Sequence, residues 1–174
     1  LQSTAHATWA NRVGQQVSQR GGYDIVICCD DEALGFVEQN HDTMFAATPV
    51  VFFGVNDVAH AQRVANSRYA TGMIEQGYVG EIMQVTYRLH PDATSFTAIV
   101  DQTPAGIGNK AQFVSAAQDF EDMGVYYVNT SAFTRNELGE YVSSASPDTI
   151  MFLLDASVDN SGNVYATDDT IAWV

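Results

Sequence analysis

The apolar positions of the chain fall into short unbroken runs, separated by stretches in which apolar residues recur about every fourth position. The run Val50-Val51-Phe52-Phe53 continues through Gly54 to Val55, follows Thr48-Pro49 and stops at Asn56-Asp57. A short run without polar alternation predicts a strand buried on both faces, as in a parallel sheet covered by helices. Residues 23–29 have the same character and end at Asp30-Asp31-Glu32. Further strands are expected over 69–74, where Gly72 reads as turn-forming, over 94–100 ending at Asp101, over 125–128 ending at Asn129-Thr130, and over 149–154 ending at Asp155.

Between these runs the spacing is helical. Ala5, Trp9, Val13 and Val17 share one face of a helix over 4–20 that Gly21-Gly22 closes. A helix over 32–41 turns Leu34 and Val37 inward and places acids in its first turn, where the helix dipole favours them. Tyr78, Ile82, Val85 and Leu89 form one stripe of a helix over 78–89, ended by His90-Pro91. Residues 103–108 read as a loop before a helix marked by Phe113, Ala117 and Phe120, and Thr134-Arg135-Asn136-Glu137 fits a capping box opening a helix through Ala145. Residues 62–68 are polar and without a clear period, and 159–174 hold a Gly turn and the start of one more helix.

Strands and helices that alternate in this way predict an α/β fold with mainly parallel sheets and right-handed crossovers. With 174 residues, 46% of them hydrophobic, the chain can fill one substantial core or two small lobes. A boundary near His90-Pro91-Asp92 divides it into a βα group over 1–90 and a second over 91–174.

Charge narrows the set of partners. Seven Lys and Arg stand against 21 Asp and Glu, giving a net charge of −14, and Lys110 is the only lysine. Such a surface repels nucleic acid and anionic membranes, which argues against both as partners. Cys28 and Cys29 are adjacent in a strand, where successive side chains point to opposite faces, so they are expected as free thiols and leave the compartment open. No apolar run reaches the length of a membrane span and no signal segment opens the chain; a targeting element is expected to have been removed or to lie outside it.

Several sharper motifs lose to plainer readings. Gly106-Ile107-Gly108-Asn109-Lys110-Ala111 matches a GxGxxA dinucleotide pattern, but its first Gly lies well beyond Asp101 and the next strand ends in Asn129, where an acid should bind ribose. Asp30-Asp31 at a strand end could hold magnesium for phosphoryl transfer, with Lys110 as the cation such chemistry needs. His6, His41, His60 and His90 show no HxxxH or HExxH spacing; Asp57 and His60 could share a metal, though a solvated loop histidine is the plainer reading. Asp155, Ser157 and Asp159 resemble a calcium loop until Asn160 stands where Gly is needed, which leaves an ordinary turn. There is no GxSxG elbow. No catalytic residue, metal or cofactor is therefore expected.

The segments YDIVICCDDEALGF, TPVVFFGVND and YATGMIE, over residues 23–75, resemble the first-lobe core of the periplasmic substrate-binding-protein-like family associated with ABC transporters. They are closer still to the version that serves as the extracytoplasmic sensor of bacterial histidine kinases and diguanylate cyclases. IVDQTPAGIG resembles the start of the family's second lobe, and DTIMFLLDASVDNSGNVY is a further match. Val58 stands where transporter-type members tend to have Pro, which favours the sensor branch. Members usually have additional elements before the region of Thr4 and after that of Val174, so the chain reads as a middle section, incomplete at both ends.

The resemblance implies a type I two-lobed architecture and a periplasmic, non-catalytic sensor in which a small molecule is held between the lobes. The partners it implies are that ligand and a membrane-linked output domain of the same protein. A solute receptor of an ABC transporter is the near alternative, and a metal-dependent phosphoryl-transfer enzyme is the alternative from another class. The strand ends that would meet the ligand carry Asp30, Asp31, Asn56, Asp57, Thr71, Asp101, Thr103, Asn129 and Asp155. They offer acceptors, hydroxyls and amides but no Lys or Arg, a set suited to a ligand bearing amines or hydroxyls. Core packing accounts for most strand aromatics, while Trp9 and Trp173, near the two ends, could cover the same end of the fold or contribute to a homodimer interface.

Overall fold

The computed structural model describes residues 2–75 and 77–171, whose contacts separate into one unit ending at residue 75 and another beginning at 76. Trp173 lies outside the described residues. The elements alternate as the apolar pattern predicts: α1 (Gln2–Arg20), β1 (Val26–Cys29), α2 (Asp31–Met44), β2 (Val50–Val55), α3 (Val58–Ala65) and β3 (Ala70–Ile74) in the first unit. The second holds α4 (Val79–Leu89), β4 (Ser95–Val100), α5 (Pro104–Ala117), β5 (Gly124–Asn129), a 3-10 turn (Thr130–Ala132), α6 (Arg135–Ser143), β6 (Thr149–Leu153) and α7 (Thr167–Ile171). The fold is α/β, with two three-stranded parallel sheets flanked by helices.

In the first unit the strand order is β1-β2-β3, and Val26 pairs with Val50, which pairs in turn with Ala70. One face carries Cys28, Val50, Phe52 and Ala70 into a core with Val17 of α1, Leu34 and Val37 of α2, and Ala61 and Val64 of α3. The opposite face is open: Ile27 is 66% exposed, Phe53 46% and Met73 73%. The expectation that β2 is buried on both faces therefore fails, because among the described residues no helix covers the side to which Phe53 points. Cys28 and Cys29 do split between the faces, one buried and one exposed, and both are free.

Local chemistry sets the boundaries. Helix α3 takes up the first part of the stretch read as polar and indistinct, residues 62–65; its eight residues give only Ala61 and Val64 to the core, too few to print a period. Its start is fixed by Asp57, whose carboxylate accepts from the His60 N–H at 2.9 Å. Gly72 is no turn residue. It lies within β3 opposite Phe52, where a Cβ would overlap the Phe52 carbonyl oxygen and sit 2.5 Å from its ring.

In the second unit the order is β5-β4-β6, so the first strand in sequence is central. Phe96, Ala98, Ile99 and Val100 are each at most 1% exposed, which makes β4 the strand buried on both faces. Phe96 and Ala98 pack with Met83 of α4 and Phe113 and Ala117 of α5, whereas Ile99 packs with Leu138 of α6 and Val128. Helix α4 thus packs on α5 and belongs with the second unit, which moves the division from residues 90–91 to 75–76. Its inward side chain is Met83, and the stripe of Tyr78, Ile82, Val85 and Leu89 faces outward. Helix α5 begins earlier than the sequence suggests: Thr103 caps it and Pro104 takes its first position, where the missing N–H costs nothing. The expected loop over 103–108 is its first turn, and the GxGxxA match is helix.

Replacing Gly72 by Ala is expected to cost about 1–3 kcal/mol, as for other overpacked sites, because the new methyl meets backbone rather than a movable side-chain end. Urea unfolding of the variant should show a lower midpoint with an unchanged slope.

Candidate functional site

The carboxyl ends of parallel strands are where an α/β fold leaves backbone groups and loop side chains free of the core. Asp101 follows β4 and is fully buried. One of its oxygens, Oδ1, accepts from the Thr103 N–H at 2.9 Å and the Thr103 hydroxyl at 2.6 Å. The other, Oδ2, accepts from the Ser157 N–H at 3.0 Å and the Ser157 hydroxyl at 2.7 Å. Thr103 Oγ1 in turn accepts from the Gly106 N–H at 3.1 Å. A carboxylate out of water needs this many donors, and here they join the start of α5 and the loop after β6 to the end of β4. Gly106 leaves the room: a Cβ there would lie 2.5 Å from Asp101 Oδ1.

Asp155 enters from the end of β6, its N–H reaching the Ile99 carbonyl at 3.3 Å. Burial, then the neighbouring Asp101 charge, pushes its carboxyl up to about 6. For Asp101 burial works against ionisation, but the bonds from Thr103 and Ser157 outweigh it and hold the group below the usual carboxylate range. The four donors on Asp101 fix the negative charge there, so Asp155 is the member of the pair that takes up a proton first, as pH falls through about 6.

At the end of β5, Asn129 accepts from the Ser131 N–H at 3.0 Å and shapes the 3-10 turn, and the buried Thr130 hydroxyl donates to the Val158 carbonyl at 3.3 Å. Asp159 organises the following loop. It accepts from the N–H groups of Ser161 and Asn163, the Asn163 amide and the Tyr165 hydroxyl, and these bonds, the Asn163 amide first, bring its carboxyl down to about 2. The stretch is a turn built on one aspartate, as its missing glycine suggests.

The first unit repeats the device with different spacing. Asp31, 1% exposed, accepts from the Asn56 and Asp57 N–H groups, each at 2.9 Å, and from the Asn56 amide at 3.4 Å, so it joins the start of α2 to the end of β2. Asp30 caps α2 by accepting from the Asp31 N–H at 2.7 Å. Its backbone lies at φ 80° and ψ 162°, a region that costs any residue but Gly of order 1–3 kcal/mol.

The residues named from sequence therefore fall into two groups, one per unit. Asp30, Asp31, Asn56 and Asp57 come together in the first, and Asp101, Thr103 and Asp155 in the second, with Asn129 at the end of the adjacent strand β5. Thr71 belongs to neither; it pairs with Val51 inside β3 and lies short of the strand end, where Glu75 donates its N–H to the Val55 carbonyl. Ser157 is the main addition. As a serine in a polar loop it gave no sign of its role beyond standing two residues after Asp155.

Among the described residues no group of three His, Cys, Asp or Glu side chains could hold a metal ion. His60 Nε2 contacts Glu38 at 2.9 Å, and Asp57 meets the His60 backbone rather than its ring. Lys110, the cation a phosphoryl-transfer site would need, lies 3.2 Å from the centre of the Tyr127 ring.

Two substitutions in the acid pair are expected to act in opposite senses. The Asp155 value is raised above its ordinary 3.8, so its favourable contribution is fully present below pH 3.8 and disappears as pH rises through about 6. That of Asp101 is lowered, so its contribution is present above pH 3.8 and disappears as pH falls through the folded value. Asp155→Asn should therefore stabilise the protein at pH 8 by roughly 1 kcal/mol, once solvent screening of a half-buried group is allowed for, and change little at pH 4. Asp101→Asn should cost about 2–4 kcal/mol at pH 8, because an amide cannot accept all four donors. Urea unfolding at the two pH values measures both.

Compared with known proteins, the chain matches no family model and no curated protein.

Proposed function

We propose that the chain is a non-catalytic, extracytoplasmic sensing domain of a bacterial membrane signalling protein, of the periplasmic-binding-protein-like kind, that takes a small molecule at the carboxyl ends of its strands. The observation that carries this reading is that the parallel sheet of each unit ends in a buried aspartate with polar neighbours, at the edge where α/β folds bind ligands. Asp31 and Asp101 are consumed in holding their loops, and the carboxylates beside them, Asp30 and Asp57 at the sheet edge of the first unit and Asp155 at that of the second, are the groups each edge would present to a ligand. That set offers mainly acceptors and suits a molecule with amine or hydroxyl donors. A ligand that bonds one arrangement of the domain better than another shifts its population by that difference in affinity, which is the signal an output domain would read.

The strained backbone at Asp30 supports the assignment, since such conformations persist where the surrounding structure holds a side chain in place for a purpose. Native mass spectrometry of the purified chain identifies any retained small molecule, and thermal shift against amine-bearing and polyhydroxy compounds covers the rest. A ligand at a hundred times its dissociation constant should add about 2.7 kcal/mol. Asp30→Gly should relieve the strain, stabilise the free protein by up to about 1 kcal/mol, and reduce the ligand-induced shift. Equal shifts for the variant and the parent protein would remove Asp30 from the site, and a chain stabilised by no member of either panel would remove the function.

A further inference from the structure

Helix α4 has two apolar faces, and the second unit uses only one. Met83 is fully buried against the core of that unit, while Tyr78 is 75% exposed, Ile82 52%, Val85 55% and Leu89 69%. The four exposed residues are spaced by four, three and four, the a/d repeat of a helix that pairs with another helix along one seam. Scattered exposed apolar residues are ordinary on a protein surface, but a contiguous stripe at this spacing marks a binding face.

The flanking charges select the occupant. In this heptad frame Glu81 and Arg88 both take the g position beside the seam, seven residues apart, and among the described residues neither is in an ion pair. In a parallel pair Glu81 would face the uncharged Thr86 of the second helix, and the position opposite Arg88 would lie beyond that helix's end at Leu89. In an antiparallel pair, with Ile82 opposite Val85 and Tyr78 opposite Leu89, Glu81 of one copy lies within about half a turn of Arg88 of the other, roughly 3 Å along the axis. Two-fold symmetry then makes the contact twice. The stripe is therefore complementary to itself, as an isologous interface requires.

We infer that α4 is a homodimer interface at which two copies of the chain pair antiparallel through Tyr78, Ile82, Val85 and Leu89, with Glu81 and Arg88 fixing the orientation. The contact stands apart from the ligand-binding reading and does not depend on it. Its strength comes from the apolar seam, since exposed ion pairs contribute little and serve here to set direction. One pair of eleven-residue helices falls short of the roughly 1,200–2,000 Å² buried by stable complexes, so the dimer is weak and its population follows concentration.

Sedimentation velocity of the full chain over roughly 10 µM to 1 mM, the range a small interface commands, should show a reversible monomer–dimer equilibrium. Val85→Asp should leave the circular dichroism spectrum unchanged and raise the dimer dissociation constant at least tenfold. Glu81→Arg and Arg88→Glu should each weaken the dimer several-fold, and the double exchange should restore it. A monomer throughout the range overturns the proposal, as does a dimer indifferent to Val85→Asp. Failure of the double exchange overturns the antiparallel pairing. Unfolding of the Val85→Asp chain would mean that a segment of the same molecule covers the stripe, which also overturns the proposal; the charge exchanges, at exposed positions, test it without that risk.

Discussion

A carboxylate with no access to water must be given hydrogen bonds by the protein or it will not stay charged, and much of this structure is arranged around meeting that demand twice. Asp101 is surrounded by four donors from two residues 54 positions apart in sequence, Thr103 and Ser157. Removing the charge would leave these donors without their acceptor, so the aspartate acts as a joint between the start of α5 and the loop after β6. Asp31 does the same between α2 and the end of β2, using backbone N–H groups as donors. In each unit the joint lies at the carboxyl edge of the sheet, and its hydrogen bonds hold the side chains around it at defined positions.

This rigidity divides the acidic residues by task. Asp31 and Asp101 are buried and hydrogen-bonded to neighbouring loops, whereas Asp30 lies on a strained backbone beside Asp31, and Asp155, beside Asp101, takes up a proton only as pH falls through about 6. Asp155 differs from Asp101 because it receives fewer donors and lies next to a charge of its own sign, which raises its proton affinity while its neighbour's is lowered.

The uncovered surfaces tell a second story. The first unit's sheet is packed on one face only, and α4 carries an apolar stripe away from its own core. Both features place large side chains such as Met73 and Leu89 in water, where they offer free energy to anything that covers them. The α4 stripe is the one whose spacing and charges specify its cover.

Much of the architecture was legible in the residues alone. Unbroken apolar runs and four-residue repeats are local signals, so the alternating elements, the parallel sheets, the Thr134 capping box, the split of Cys28 and Cys29 across a sheet and the aspartate-based turn at Asp159 could all be read in advance. What could not be read was which face of an element meets which partner. The pattern makes β2 and β4 look alike, yet only β4 has helices on both sides, because a strand's burial is set by its place in the sheet order. The stripe of α4 reads as a core face and is turned outward, since a helix with two apolar faces buries the one its neighbours reach. Thr71 reads as a strand end and lies within the strand, and Ser157 reads as part of a turn rather than as a donor to Asp101, because only the folded chain brings a serine from the β6 loop to an aspartate 56 residues earlier. Periodicity is a property of neighbours in sequence; register, layer and the company a buried charge keeps are properties of neighbours in space.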